Sequence, residues 1–179
     1  LKIDPGDYGW AHRAISDEDY DKHLNGKVSI GLQPCDDDGT CSFGAIDIDP
    51  TSYSDFNIGK FLQVIDKKDL PVVPIKSKSG GLHIYIFTKE KVPSTLIREV
   101  LQNLLFLFGL SSKTEIYPKQ TKLGKNQNGE KTVGSFINLP YFKKTERVAL
   151  KADGSAISYE DFLNVVGANL QTQKSLKEL

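Results

Sequence analysis

Residues 43–50, FGAIDIDP, decide the fold. Ile46 and Ile48 alternate with Asp47 and Asp49, and alternation at period two marks a strand with one apolar and one polar face. A helix is expected over about 54–67, where Phe56, Phe61, Leu62 and Ile65 recur at helical spacing. A strand over 72–76, a turn over 77–81 and a strand over 82–87 follow. A second helix over 94–108 has an apolar face of Ile97, Leu101, Leu104, Leu105 and Phe108, with Gly109 beyond its end. Residues 114–117 supply a short last strand. This β-α-β-β-α-β order is the split βαβ pattern of ferredoxin-like and RNA-recognition folds, an α+β class. Right-handed crossovers put both helices on one sheet face, with the first and third strands central and the fourth beside the first.

Upstream, Ser16-Asp17-Glu18-Asp19 reads as a capped helix start and Gly26 as its end. Residues 28–33 and 42–49, around a turn-rich 34–40, are expected to form a β-hairpin, giving an N-terminal helix-hairpin element. Downstream come a Lys, Asn and Gly-rich loop over 118–132, a strand over 135–139, and an amphipathic helix from Ser158 with a polar tail. We read 1–179 as one domain, with a core over about 12–145 and a C-terminal helical extension over about 156–179.

The length of 179 residues with 39% hydrophobic residues is enough to enclose a core and too apolar for a disordered chain. No apolar stretch approaches the roughly 20 residues of a membrane span, so no membrane partner is expected, and no signal peptide opens the chain. Two cysteines, Cys35 and Cys41, argue against a disulfide scaffold and fit a reducing, cytoplasmic compartment. The chain starts at Leu1 and lacks Met, as a piece of a longer protein would. Its 23 basic and 23 acidic residues cancel, which taken alone discourages a nucleic-acid partner.

The distribution says otherwise. Residues 1–55 hold twelve acids and four bases, a net −8, so the remainder carries +8. Residues 113–151 alone hold nine bases against three acids. This is either solvated surface or an acidic site facing a phosphate-binding track.

Strand parity assigns faces. With Ile46 and Ile48 against the helices, Asp47 and Asp49 lie on the open face. With Leu82, Ile84 and Ile86 inward, His83, Tyr85 and Phe87 are open. With Ile116 inward, Glu115 and Tyr117 come out. Three carboxylates from neighbouring strands thus converge beside a histidine. Clustered carboxylates repel unless a cation joins them, and hard oxygen donors favour two Mg²⁺ or Mn²⁺ ions. Asp47 and Asp49 alone could equally be solvated strand-end aspartates. Between the second and third strands, Lys76-Ser77-Lys78-Ser79-Gly80-Gly81 is either an ordinary hairpin turn or a triphosphate cradle of backbone N–H groups, two hydroxyls and a lysine. His12 and His23 lack partners at ligand spacing, and the Cys35/Cys41 pair is at most half a zinc site. Asp36-Asp37-Asp38-Gly39 lacks the closing glutamate of a calcium loop and reads as a turn.

These stretches resemble, in order, the motifs of the archaeo-eukaryotic primase superfamily: FGAIDIDP (43–50), KSKSGGLHIYIF (76–87), EIYPKQ (115–120) and GSFINLPYF (134–142). The likeness is greatest to primase-polymerases of mobile elements, CRISPR-linked systems and bacterial conflict systems. It implies template-directed nucleotidyl transfer and, in many members, de novo primer synthesis. Carried over by position, Asp47, Asp49 and Glu115 are the catalytic metal ligands, with Glu115 in place of a frequent aspartate. His83 matches the histidine at the incoming nucleotide's phosphates. Lys78, Ser79, Gly80 and Gly81 adjoin it, with Gly81 where a serine is often found. Lys119, Gln120 and Asn138 match rim positions of the nucleotide site. Lys122, Lys125, Lys131, Lys143, Lys144 and Arg147 are expected to follow the template backbone. The implied partners are a single-stranded DNA template with its primer, nucleoside triphosphates, and flanking helicase, nuclease or accessory domains. Two competitors stay open. One is an RNA-recognition-like single-strand binder, using Tyr85 and Phe87 as a stacking platform. The other is a different metal-dependent phosphoryl enzyme, a cyclase or a nuclease, on the same core.

Overall fold

The computed structural model of the protein describes residues 2–3, 9–10, 13–124, 129, 132–143 and 145–179. Strands β1 (Lys2–Ile3) and β2 (Gly9–Trp10) pair antiparallel ahead of helix α1 (Asp17–Leu24). Strands β3 (Gly31–Leu32) and β4 (Thr40–Ile48), helix α2 (Ile58–Lys67), strands β5 (Val73–Lys76) and β6 (Leu82–Pro93), and helix α3 (Ser94–Leu107) follow. Strands β7 (Glu115–Tyr117) and β8 (Ile137–Asn138) and helices α4 (Tyr159–Ala168) and α5 (Gln173–Leu176) complete the chain.

The main sheet has the order β5-β6-β4-β7, with every neighbour antiparallel. Counted from β4, that is the second, third, first and fourth strand, the arrangement the split βαβ pattern requires. The helix-packed face carries Ile46, Ile48, Leu82, Ile84, Ile86 and Ile116, which meet Leu62 of α2 and Ile97, Leu101, Leu104 and Leu105 of α3. The parity expectation holds on this side. Helix α3 lies so close to β4 that a Cβ on Gly44 would stand 2.3 Å from Ile97 Cγ2 and 3.0 Å from the Tyr117 carbonyl oxygen. Only a residue without a side chain fits there.

Three expectations are corrected. Residues 28–33 do not form a hairpin with 42–49. Strand β3 pairs instead with β8, Gly31 opposite Asn138 and Leu32 opposite Ile137. The first half of β4 pairs with an extension of β6, Cys41 opposite Val92, across a register shift at Cys41/Phe43. Burial drives this choice, because Cys41 and Val92 both become fully enclosed. The helix expected from 54 begins at Ile58, after a 3-10 turn at Pro50–Ser52.

The third correction concerns the open face, which is only partly open. A second core of Ala45, Val73, Ile75, Tyr85 and Tyr117 is covered by Ile137, Ala149, Ile157 and Phe162. Tyr85 is 2% exposed and donates its hydroxyl to the Asn138 carbonyl at 2.9 Å. Phe87, stacked on Tyr85, packs edge-on against Phe162 of α4. The cover stays in place through backbone pairing at the β5 edge, where Lys76 N–H donates to the Val148 carbonyl and Leu150 N–H to the Pro74 carbonyl. Pairing also protects that edge from other strands.

His23 fastens α1 to this cover. Its Nδ1 accepts from Ile30 N–H at 3.0 Å and its Nε2 donates to the Pro140 carbonyl at 2.8 Å, which defines a neutral ring. Burial is the main reason its pKa lies below the ordinary histidine value. No described helix is long and apolar enough to cross a membrane.

Candidate active site

The sheet register brings the site together at one point. Asp47 on β4 is opposite His83 of β6 on one side and Glu115 of β7 on the other. Asp47 Oδ1 lies 3.2 Å from His83 Nε2, with the histidine ring almost wholly buried. Glu115 is held from two directions: Lys119 Nζ stands 2.8 Å from Oε1, and the Tyr117 hydroxyl donates to Oε2 at 2.9 Å. Burial, and then this carboxylate, push the Tyr117 phenol far above its ordinary pKa, so it stays a donor. Asp49 lies just past the strand end and caps the turn at Pro50–Ser52. Its carboxylate accepts from the Thr51 N–H at 2.9 Å and the Thr51 hydroxyl at 2.8 Å, and these bonds lower its pKa.

Two cavities flank Asp47 and share it. One, of about 480 Å³, is lined by Asp47, Asp49 and Glu115, with Ser52, Tyr53, Ser111, Lys113 and Thr114 around them. The other, of about 440 Å³, is lined by Asp47, His83, Tyr117, Lys119, Gln120 and Asn138, together with residues 133–137. The first is acidic. The second carries a lysine and a histidine, and its far wall includes the apolar Val133, Phe136 and Ile137.

Among the described residues, no three His, Cys, Asp or Glu side chains converge tightly enough to hold an ion as they stand. The donor chemistry nevertheless suits a hard divalent cation, because all three carboxylates line one cavity and offer only oxygen. Each meanwhile has a protein partner: Asp47 lies against His83, Glu115 pairs with Lys119, and Asp49 accepts from Thr51.

The remaining candidates divide. The turn after β5 is organised by Ser77, whose buried hydroxyl accepts from Gly81 N–H at 3.0 Å and meets Ser79 Oγ at 3.0 Å. Of the two hydroxyls in this stretch, that of Ser77 is therefore turned inward to hold the turn. Lys78, Ser79 and Gly80 stand exposed and line neither cavity. Gln120 lines the second cavity but uses its amide internally, accepting from Ser135 N–H at 3.1 Å and donating to Ser135 Oγ at 3.3 Å. It shapes the wall, as does Gln33, which binds Gly134 N–H and the Cys35 carbonyl.

Of the expected backbone track, Lys122 and Lys143 are exposed, while Lys125, Lys131 and Lys144 lie outside the described residues. Arg147 is a correction. It is 4% exposed, donates from Nε to Thr145 Oγ1 at 3.1 Å and from Nη2 to Ser29 Oγ at 2.8 Å, and lies over the Phe142 ring. A guanidinium held this way braces the cover and does not lie along an exposed track.

A split βαβ sheet with an acidic cavity and a cavity bearing a histidine and a lysine, meeting at one aspartate, fits a nucleotidyltransferase-type enzyme. The chain belongs to the archaeo-eukaryotic primase domain family of the TOTE conflict system, whose family model matches residues 10–166. The family is of the primase/polymerase type, and the match falls in the conflict-system branch of the settings the motifs suggested. No match was found among curated proteins.

Proposed function

We propose that the protein is a template-directed DNA primase-polymerase that joins nucleotides with release of pyrophosphate and synthesises primers de novo. The observation that carries this reading is Asp47, shared by the two cavities and in register with both His83 and Glu115. Asp47, Asp49 and Glu115 would hold two Mg²⁺ or Mn²⁺ ions, with His83 and Lys119 released to the incoming nucleotide's phosphates. Such ions, when bound, activate the attacking hydroxyl and neutralise the leaving pyrophosphate. The protein's own part is placement: Asp47 fixes the reacting centre between the cavities, His83 stands opposite it, and Tyr117 orients Glu115. Val133 and Phe136 give the sugar and base an apolar wall. The template and primer are single-stranded DNA, met by the exposed lysines of the later, basic half.

The single-strand binder with a central stacking platform is disfavoured, because Tyr85 is buried beneath β8 and Phe87 is half-buried with its ring edge-on to Phe162 of α4. A cyclase would release pyrophosphate without template, which a polymerase would not. The test is nucleotide incorporation on a primed and an unprimed template by the Asp47→Ala, Asp49→Ala double variant. We expect a loss of at least about 10³-fold, the scale of removing transition-state charge stabilisation. A double variant that still extends primers at the parent rate overturns the proposal.

A further inference from the structure

The acidic cavity has a second wall that none of the motifs covers. Lys113 and Ser111, from the segment leading into β7, line it together with the strand carboxylates, and Ser52 lines it from the turn after Asp49. The wall is fixed in place. Thr114 N–H donates to the Ser111 carbonyl at 2.9 Å, and Lys113 N–H donates to Ser111 Oγ at 3.2 Å. A hydroxyl–hydroxyl bond between Tyr53 and Thr114 ties this segment to the chain that follows Asp49. Several other lysines around the sheet are spoken for: Lys119 by Glu115, Lys76 by Glu146, Lys91 by Asp36. Lys113 forms no ion pair among the described residues. An exposed ammonium and two hydroxyls beside an otherwise acidic cavity form a site for a phosphate on a ligand whose other end reaches the carboxylates.

We infer that this cavity seats the nucleotide that carries the attacking 3′-hydroxyl, and that Lys113 holds that nucleotide's phosphate. The inference rests on the nucleotidyltransferase reading above and assigns the second substrate a place within it. Nucleotidyl transfer joins two nucleotides. The 3′-oxygen of one forms a bond to the α-phosphorus of the other, the bond to the β-phosphate breaks, pyrophosphate leaves, and the hydroxyl proton passes to solvent. The cavity with His83 and Lys119 suits the nucleotide that is cut. The cavity with Lys113 lies on the other side of the shared Asp47, where the attacking nucleotide has to stand. Its volume of about 480 Å³ is on the scale of a nucleotide-sized ligand. The phosphate has two sources with the same chemistry: an initiating nucleoside triphosphate, or the last phosphodiester of a primer.

The test uses Lys113→Ala and Lys113→Arg in the full chain, with melting temperatures confirming that each folds. In unprimed synthesis, Lys113→Ala is expected to raise the KM for the initiating nucleotide about tenfold, as loss of one charged hydrogen bond does, with the incoming nucleotide's KM unchanged. In primed extension the same variant is expected to weaken primer-template binding, measured by fluorescence anisotropy with Mg²⁺ present. The slope of log affinity against log salt should fall by about 0.7–0.9, one phosphate contact. Lys113→Arg should recover both. An effect confined to unprimed synthesis assigns the site to the initiating triphosphate, and one confined to primed binding assigns it to the primer; either supports the inference. Unchanged constants in both arms, or a rise in the incoming nucleotide's KM instead, overturn it while leaving the nucleotidyltransferase reading intact. A parent protein that incorporates nothing in either arm overturns that reading, and this inference with it.

Discussion

Replacing Gly81 by serine installs the residue that the motif resemblance leads one to expect two positions before the histidine, and in this fold it should do harm. A Cβ at position 81 would lie 2.3 Å from the Ile48 carbonyl oxygen, 2.9 Å from Pro50 Cδ and 3.1 Å from Ser77 Oγ. Carbon and oxygen tolerate about 3.3 Å, so the turn must retreat from β4 by about 1 Å. Neither side yields easily. Ile48 ends a strand paired on both flanks, and Gly81 N–H is bonded to the buried Ser77 hydroxyl. Overpacking of this kind costs about 1–3 kcal/mol, and a backbone obstacle puts Gly81→Ser near the upper end. For a chain of this size that is a fall in melting temperature of about 4–12 °C.

The catalytic consequence follows from geometry. His83 is two residues beyond the glycine and Asp49 one residue beyond Ile48, so the retreat separates groups that, on the proposed function, act on one nucleotide. A misplacement of about 1 Å costs on the order of 10²-fold in rate. Calorimetric melting and steady-state incorporation kinetics check both parts, with Gly81→Ala as the companion because it carries the same Cβ without the hydroxyl. The two variants should melt together. If Gly81→Ser melts within about 1 °C of the parent and binds nucleotide better, the turn is pliable and the steric argument is wrong.

Two further outcomes are expected. His23 has a folded pKa below 6.5 because burial disfavours the imidazolium, with the nearby Arg147 charge adding to it. The unfolded chain therefore binds the proton first, and stability that is complete above pH 6.5 declines as pH falls through the depressed folded value. Urea midpoints measured from pH 8 to 5 should show a decline that His23→Gln flattens; equal pH profiles for parent and variant would contradict the assignment. Arg147→Met should leave the salt slope of nucleic-acid binding unchanged, whereas Lys143→Ala should lower it by about 0.7. Equal slopes for the two variants would return Arg147 to the track.

Local alternation was sufficient to bring the candidate residues to one point of the sheet. Ile46/Asp47/Ile48, Leu82/His83/Ile84 and Glu115/Ile116 each carry the period-two pattern, and the split βαβ order then sets β4 between β6 and β7. What alternation cannot show is what lies over a face. Tyr85 and Phe87 were on the expected side, but their cover comes from Ile137, Ala149, Ile157 and Phe162, which lie in apolar runs of two or three residues, too short to carry a periodicity. The β3–β8 pairing joins two-residue strands more than a hundred positions apart, too short for periodicity to register. The expected hairpin came from the turn-rich residues 34–40, a local signal overridden by the burial of Cys41 against β6. Arg147 was misplaced for a related reason, since a charge count records sign and not burial.

The cover also constrains how a polynucleotide can be held on the proposed function. With Tyr85 buried and Phe87 half-buried against Phe162, the central strands offer bases little to stack on, so sequence-tolerant affinity must come mainly from phosphate contacts. That gives meaning to a chain that is neutral overall but −8 over its first 55 residues and +8 beyond them. Asp47 and Asp49, within the acidic part, are turned to the end of the sheet that the cover leaves open. Lys113, Lys119, Lys122 and Lys143, all exposed, belong to the basic part. The divide between the two parts runs through the site itself, where Glu115 and Lys119 face each other at 2.8 Å. A phosphate chain would therefore be drawn to the rim and repelled from the centre until divalent cations reverse the sign at Asp47, which couples nucleotide entry to metal entry by charge alone.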